Sequence, residues 1–252
     1  MRGLPLSPAA ALLCASLLSG CGNKRVTVAV PPPPPASAHS SDAHSAGVEA
    51  AREAAEARST GTEDDTYAAA TPIWSETGMA SWYGTVYQHR KAANGEVYEQ
   101  DGMTAAHRTL PLNSIVRVTN LKNGKSAVLR ITDRGPFVTD RVIDLSVGAA
   151  KALDIWRPGT APVRIDVLEA PKQITSGGKW CVQIGAFSDV DAATELKQRL
   201  MRRYQTARVL QFTGPTGEWL RIRVAADDKQ KAFDVARETK SPEGAVFVVR
   251  LD

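Results

Sequence analysis

An unbroken run of five prolines, Pro31 to Pro35, is the feature that most constrains what this chain can fold into. It lies in a segment, Asn23 to Ile73, that is rich in Ala, Ser, Thr and Glu and has scarcely any large apolar side chains. A proline run is stiff and extended, and a segment without large apolar side chains cannot bury a core. We therefore predict that residues 21–77 are a disordered tether and that folded sequence begins near Gly78.

The first residues have the pattern of an export signal. The apolar run Ala9 to Leu18 follows one early charge, Arg2, and it is about half the ~20 residues that a membrane-spanning helix needs. Small residues precede Cys21, as in bacterial lipoproteins, so we predict a signal peptide over residues 1–20 and acylation of Cys21. An ordinary signal peptide with a chance cysteine is the alternative. Resemblance to Gram-negative lipoproteins, with Gly at position 22, implies an outer-membrane anchor facing the periplasm.

Cysteine usage and charge exclude several classes of protein. With Cys14 in the predicted signal and Cys21 lipidated, Cys181 is alone, and we predict a small buried side chain rather than a catalytic thiol. The net charge of +4 is too mild for the dense basic patches of nucleic-acid-binding proteins. The four histidines are scattered, so we predict neither a metal site nor a cofactor.

Residues 78–169 combine short alternating apolar and polar runs with few helical segments, which predicts a small β-barrel. The predicted elements are a hairpin of Val116 to Asn120 and Ser126 to Ile131 with its turn at Asn123-Gly124, strands Arg141 to Leu145 and Val163 to Leu168, and a helix from Ser146, its cap, to Leu153.

A second domain is predicted over residues 179–252, after a linker over residues 170–178. The spacing of its apolar residues predicts the element order βαββαβ. This order is typical of an open antiparallel sheet with both helices on one face. In the second helix we expect Phe233 and Ala236 to point inward. The predicted fold class is therefore mainly β followed by α+β.

Five motifs occur in order in the first domain. They are ASWYG (Ala80 to Gly84), ANGE (Ala93 to Glu96), TAAHRTLP (Thr104 to Pro111), ITDRGPF (Ile131 to Phe137) and RVIDLS (Arg141 to Ser146). This set resembles the rare lipoprotein A family. The resemblance implies a double-psi β-barrel, the fold shared with expansins, and lytic transglycosylase activity on peptidoglycan.

That activity needs one acid, which protonates the leaving oxygen and then accepts a proton from the attacking sugar hydroxyl. The resemblance implies that Asp133 is this acid, and that Glu96 and His107 orient the substrate and tune the acid. Without the family, Asp133 and Arg134 would be interpreted as an ion pair or a turn cap. The chain departs from the usual family motif at Gln88, His89 and Ala92, just before Glu96.

The runs WCVQIGAF (Trp180 to Phe187) and WLRIRVA (Trp219 to Ala225) resemble the SPOR domain, whose members bind glycan strands stripped of stem peptides. If Leu220, Ile222 and Val224 face the helices, the residues between them face the open side of the sheet. The predicted glycan-binding residues are Gln183, Phe187, Arg221 and Arg223. A solvated sheet face is the alternative.

Taken together, these features predict a lytic transglycosylase that acts on denuded peptidoglycan at the division septum, held on the outer membrane through Cys21, with division proteins as further partners. Two alternatives have the same fold: a non-catalytic wall-binding lipoprotein, and an expansin-like protein that loosens strands without cutting them.

Overall fold

The structure is a computed structural model that describes Tyr67, residues 69–214 and residues 216–252. The predictions for the signal peptide, for the lipidated Cys21 and for most of the tether lie outside the described residues. The first strand begins at Trp74 rather than near Gly78, because Trp74 pairs with Val167 and packs against the barrel core. No helix in the described part of the chain is long and apolar enough to cross a membrane.

The first domain is a closed β-barrel with the strand order β1-β5-β2-β4-β3-β6. The strands are β1 Trp74–Trp82, β2 Thr104–His107, β3 Ile115–Asn120, β4 Ser126–Asp133, β5 Arg141–Leu145 and β6 Ala161–Glu169. Two neighbouring pairs, β1 with β5 and β2 with β4, are parallel, and the other pairs are antiparallel. The predicted small barrel is confirmed.

Alternation of apolar residues explains how the barrel fills its interior. In β3 the side chains of Val116 and Val118 are fully buried, and Ile115, Arg117 and Thr119, which alternate with them, are partly exposed. The predicted hairpin of β3 and β4 is confirmed, with Gly124 in its turn at a φ of 75°. The predicted helix after β5 is α1, Val147–Ala152, where the Ser146 hydroxyl accepts the Ala149 N–H at 3.1 Å.

The second domain is an antiparallel sheet with the strand order β10-β7-β9-β8 and two helices. Its elements are β7 Trp180–Phe187, α2 Val190–Arg203, β8 Arg208–Gly214, β9 Gly217–Arg223, α3 Lys229–Glu238 and β10 Ala245–Arg250. The predicted βαββαβ order is confirmed. Buried side chains of β7 and β9, among them Val182 and Leu220, pack with those of the helices in one core.

The inward face of α3 differs from the prediction. Ala232 and Val235 are the buried residues of this helix, whereas Phe233 is 40% exposed and its ring lies 6.4 Å from that of Trp180. The prediction for Phe233 was therefore wrong. The face of the helix that packs against the sheet begins one residue earlier, at the smaller Ala232.

The sheet face opposite the helices is only partly open. Cys181, Phe247 and Val249 on this face are buried in a small apolar cluster, and Phe137 of the barrel packs against them. The predicted open face is thus covered on its β7 and β10 side. Cys181 is free and buried, as predicted, and burial raises the pKa of its thiol to about 11.

Candidate active site

A cleft of about 230 Å³ lies beside the end of β4. The barrel side of the cleft is lined by Tyr83, Tyr87, Ala106, Asp133, Arg141 and Asp144. The sheet of the second domain contributes Gln183, Phe212, Thr216 and Trp219. Carboxyl, guanidinium and aromatic groups therefore face one opening.

The barrel topology places two carboxyl groups on either side of one small residue. Ala106 in β2 pairs with Asp133 of β4 on one side and with Asp144 of β5 on the other. Two strand spacings separate the Cα atoms of the two acids by roughly 10 Å. The methyl side chain of Ala106 leaves the space between them open to a ligand.

The Asp133 carboxyl is held by one of its two oxygens. Oδ1 accepts the backbone N–H of Ala93 at 3.0 Å and that of Arg134 at 2.8 Å. Within the described residues no donor contacts Oδ2. The loop of the ANGE motif is itself fixed on β4, because Asn94 N–H donates to the Thr132 carbonyl at 3.0 Å. The carboxyl is thus oriented through Oδ1 and free to exchange a proton at Oδ2.

Burial raises the pKa of Asp133 above its usual value of 3.8. The two backbone N–H bonds and the charge of Arg134 oppose this rise, and burial outweighs them. The site therefore favours the protonated carboxylic acid more than water does, which is what a general acid requires.

Arg134 is directed at the backbone rather than at the Asp133 side chain. Its Nη1 donates to the carbonyls of His107 at 3.0 Å and Leu110 at 2.8 Å, and its Nη2 donates to that of Asp252 at 2.9 Å. The following Gly135 has a φ of 151°, a conformation that favours glycine. Arg134 therefore fixes the loop that carries the acid.

Asp144, in the RVIDLS motif, is a second carboxyl group in the cleft. It accepts a hydrogen bond from Ser81 Oγ at 2.7 Å and pairs with Arg141 at 3.6 Å. Burial raises its pKa as well. Its position opposite Asp133 follows from strand pairing that the sequence does not reveal.

Aromatic side chains form part of the barrel wall of the cleft. The rings of Tyr83 and Tyr87 meet edge to face with centroids 5.8 Å apart. The neighbouring Trp82 packs against the barrel core, and its ring lies 6.4 Å from that of Trp156.

Glu96 lies outside this cleft. Its two carboxylate oxygens each accept a 2.6 Å hydrogen bond from the guanidinium of Arg130. This pairing lowers the pKa of Glu96. Glu96 and Arg130 line a separate groove of about 430 Å³. The structure therefore does not bring the Glu96 side chain to Asp133, although the backbone of the same motif holds the acid.

His107 is buried behind the cleft rather than exposed in it. Its Nδ1 accepts the N–H groups of Thr109 at 3.2 Å and Leu110 at 3.0 Å, so the ring proton lies on Nε2, which is 3.1 Å from Glu76 Oε2. Burial lowers the pKa of His107, against the opposing effect of Glu76. The link of His107 to the acid is indirect, through the carbonyl that accepts from Arg134.

The predicted glycan-binding residues of the second domain are divided between three settings. Gln183 lines the cleft and accepts a 2.9 Å hydrogen bond from Arg221. Arg223 is paired with Asp227 instead, with 3.0 Å between Nε and Oδ1. Phe187 is fully buried in the core beneath the helices.

The burial of Phe187 contradicts its predicted contact with sugar. Strict alternation would put it on the same face as Gln183, but the pairing of β7 with β9 shifts register between Gly185 and Phe187. The shift turns the ring to the helix side. The aromatic residues on the cleft side are instead Phe212 and Trp219, which pair with each other across β8 and β9.

No group of three or more His, Cys, Asp or Glu side chains in the described residues is arranged to hold a metal ion. The polar groups that the structure gathers at the cleft are carboxyl, guanidinium, amide and hydroxyl groups.

The sequence matches two known protein families, one for each of the two domains described above. Residues 75–165 match the family described as lytic transglycolase, a double-psi β-barrel family, and residues 176–250 match the SPOR domain family. The chain is therefore a double-psi β-barrel protein with a SPOR domain.

Proteins named endolytic peptidoglycan transglycosylase RlpA are similar in sequence to this chain. The protein from Campylobacter jejuni is 41% identical over 160 residues, which are 54% of this chain and 57% of that protein. The protein from Pseudomonas aeruginosa (strain UCBPP-PA14) is 59% identical over 92 residues, which are 36% of this chain and 27% of that protein. The matched region thus spans little more than half of the first relative and less of the second. With both domains matched, the chain belongs to the rare lipoprotein A (RlpA) family.

Proposed function

We propose that this protein is a lytic transglycosylase, a lyase that cleaves the bond between N-acetylmuramic acid and N-acetylglucosamine in glycan strands without stem peptides. The observation that carries the proposal is the state of Asp133. Its carboxyl lines a cleft, burial raises its pKa, and two backbone N–H groups hold Oδ1 while Oδ2 contacts no described donor. The names of the relatives support the same reaction.

In the proposed reaction, the proton on Asp133 Oδ2 passes to the glycosidic oxygen as the bond from that oxygen to C1 of the muramic sugar breaks. The C6 hydroxyl of the same sugar then bonds to C1 and gives its proton to Oδ2. The product is a 1,6-anhydro end, no water is consumed, and Asp133 ends protonated again.

The surroundings of Asp144 favour this reaction over ordinary hydrolysis. A hydrolase of the common kind uses a second carboxylate as a base or a nucleophile. Asp144 is the second acid at the cleft, but it is engaged by the Ser81 hydroxyl and by Arg141. We assign it to fixing the cleft wall. The sugar hydroxyl takes the place of the activated water.

Glu96 and His107 fit positioning roles in this proposal. The ion pair of Glu96 with Arg130 fixes the loop whose Ala93 N–H holds Asp133. The buried ring of His107 accepts two backbone N–H groups and so shapes the turn after β2, whose carbonyls accept from Arg134. Both residues then act through the backbone that orients the acid.

The site of action is also part of the proposal. The SPOR match supports binding to peptidoglycan in the cell envelope. Acylation of Cys21 would hold the protein on the outer membrane facing the periplasm, and denuded glycan would direct it to the septum, where division proteins are its expected partners. A fusion of residues 179–252 to a fluorescent protein should then collect at midcell, and Cys21→Ser should release the protein from membranes. A uniform peripheral signal or unchanged membrane retention would contradict these two assignments.

The reaction itself is tested by digesting denuded glycan with the purified protein and identifying the new ends by mass spectrometry. We expect 1,6-anhydro ends, and their loss in the Asp133→Asn variant. Reducing ends in place of anhydro ends would identify a hydrolase. No products over the pH range of the envelope would favour the non-catalytic wall-binding or expansin-like alternatives.

A further inference from the structure

The Asp133 cleft has a wall that does not belong to the barrel. Gln183, Phe212 and Trp219 of the SPOR domain line the same opening as Asp133 and Tyr87. Phe212 is partly exposed, and the guanidinium of Arg221 lies 5.1 Å from the centre of its ring. An aromatic face next to amide and guanidinium donors is suited to a sugar, which presents apolar C–H faces and hydroxyl acceptors.

Specific contacts hold this second wall in place. Phe137, in the loop that follows Asp133, packs against Trp219 with ring centroids 5.3 Å apart and against Phe247 at 5.7 Å. The Arg108 guanidinium lies 5.6 Å from the centre of the Phe247 ring.

Backbone contacts join the two domains at the same place. Arg250 N–H donates to the Arg108 carbonyl at 3.0 Å, and Leu112 N–H donates to the Asp252 carbonyl at 3.3 Å. The guanidinium of Arg134 also reaches the Asp252 carbonyl, at 2.9 Å. The end of β10 is therefore docked on the loops around the acid, which sets the position of the whole sheet.

We propose that Phe212, Trp219 and Gln183 form a saccharide subsite of the Asp133 cleft, so that one glycan strand contacts both domains during the same turnover. The identity of the ligand rests on the proposed function. The cleft is smaller than the roughly 300–1,000 Å³ of pockets for drug-sized ligands. It therefore encloses the sugars next to the reacting bond rather than a long stretch of strand.

This arrangement differs in a measurable way from a SPOR domain that only tethers the enzyme to its polymer. A separate tether increases the local concentration of substrate, and this benefits only strands long enough to reach both sites. A shared cleft affects even a short, soluble fragment. The substrate of choice is therefore a tetrasaccharide of alternating N-acetylglucosamine and N-acetylmuramic acid without stem peptides.

The test compares Phe212→Ala with Phe233→Ala in the full-length protein. Phe233 is the matched control because it is a partly exposed ring of the same domain, on α3, and is not among the residues that line the cleft. We expect Phe212→Ala to lower kcat/KM for the tetrasaccharide roughly tenfold, the size of the loss of one aromatic contact and its buried area. We expect Phe233→Ala to leave it unchanged, and both variants to melt near the wild-type temperature.

Binding to the Asp133→Asn protein separates a failure of the subsite from a failure of the proposed function. In that background, titration calorimetry with the same tetrasaccharide should show weaker binding after Phe212→Ala and also after Tyr87→Ala, from the opposite wall. If the wild type makes no product but both substitutions weaken binding, the subsite stands and the transglycosylase proposal fails. If Phe212→Ala changes neither kcat/KM nor binding, or Phe233→Ala changes them equally, the shared subsite is refuted.

Discussion

Replacement of Arg134 by lysine separates the structural role of this residue from an effect of its charge. The guanidinium makes three hydrogen bonds, to the carbonyls of His107, Leu110 and Asp252. An ammonium keeps the charge near Asp133 but is expected to replace only one of the three bonds. Two lost bonds from a charged donor, at about 1.5 kcal/mol each, give a loss of about 3 kcal/mol in the free energy of unfolding. For a protein of this size that corresponds to a melting temperature lower by about 6–12 °C.

Thermal unfolding followed by circular dichroism measures this loss, with Arg203→Lys as the control. Arg203 forms an exposed pair with Glu238 in the same protein, and such pairs contribute at most about 1 kcal/mol. A melting temperature of Arg134→Lys within about 2 °C of the wild type would refute the inference that the planar guanidinium holds the loop. The role of Arg134 would then have to lie in its charge.

Three further predictions concern the acid, the buried histidine and the helix cap. Asp133→Asn should abolish product formation, because the amide has no acidic proton to give in place of the acid. Burial raises the pKa of Asp133, so at pH values above 3.8, the pKa in the unfolded chain, its charged form destabilises the folded state. The melting temperature of Asp133→Asn at pH 7 should therefore stay the same or rise. The rate of the wild type should fall as pH rises through the raised pKa. Because burial lowers the pKa of His107, stability should fall as pH drops below about 6.5, and urea unfolding of His107→Gln should show a weaker dependence in that range. Ser146→Ala removes the bond to Ala149 N–H and should cost about 1 kcal/mol in urea unfolding.

Local patterns in the sequence predicted the elements that depend on neighbouring residues. The Asn123-Gly124 turn, the alternation in β3 and the Ser146 cap are each determined within a few positions of the chain, and the structure has all three. The βαββαβ order of the second domain was predictable for the same reason, because each element has its own apolar period.

Features that depend on pairing between distant residues were not predictable in this way. Asp144 lies across from Asp133 only because β2 separates β4 from β5 in the closed barrel. The register shift after Gly185, which buries Phe187, has no signal in a pattern that assumes strict alternation. The family motif led to the expectation that Glu96 tunes Asp133, and only the structure shows that its side chain pairs with Arg130.

One signal for the docked sheet face was present in the sequence. The strand β10 is apolar at consecutive positions, Ala245 to Val249, instead of alternating with polar residues. A strand of this kind is typical of a sheet that is covered on both faces. The helices cover one face, so the sequence indicated a second contact without revealing that Phe137 of the barrel provides it.

The adjacent residues Asp133 and Arg134 serve two purposes through different atoms. The Arg134 N–H holds Oδ1 of the acid at 2.8 Å, while the Arg134 side chain holds carbonyls of the barrel and of Asp252. The orientation of the acid and the position of the sheet wall therefore depend on the same short loop. Because the Ala93 and Arg134 N–H groups both come from the barrel, undocking of the SPOR domain would leave the acid oriented and would remove the wall that carries Phe212. In the proposed reaction the barrel supplies the proton, and under the proposed shared subsite the docked sheet determines which sugars lie beside it.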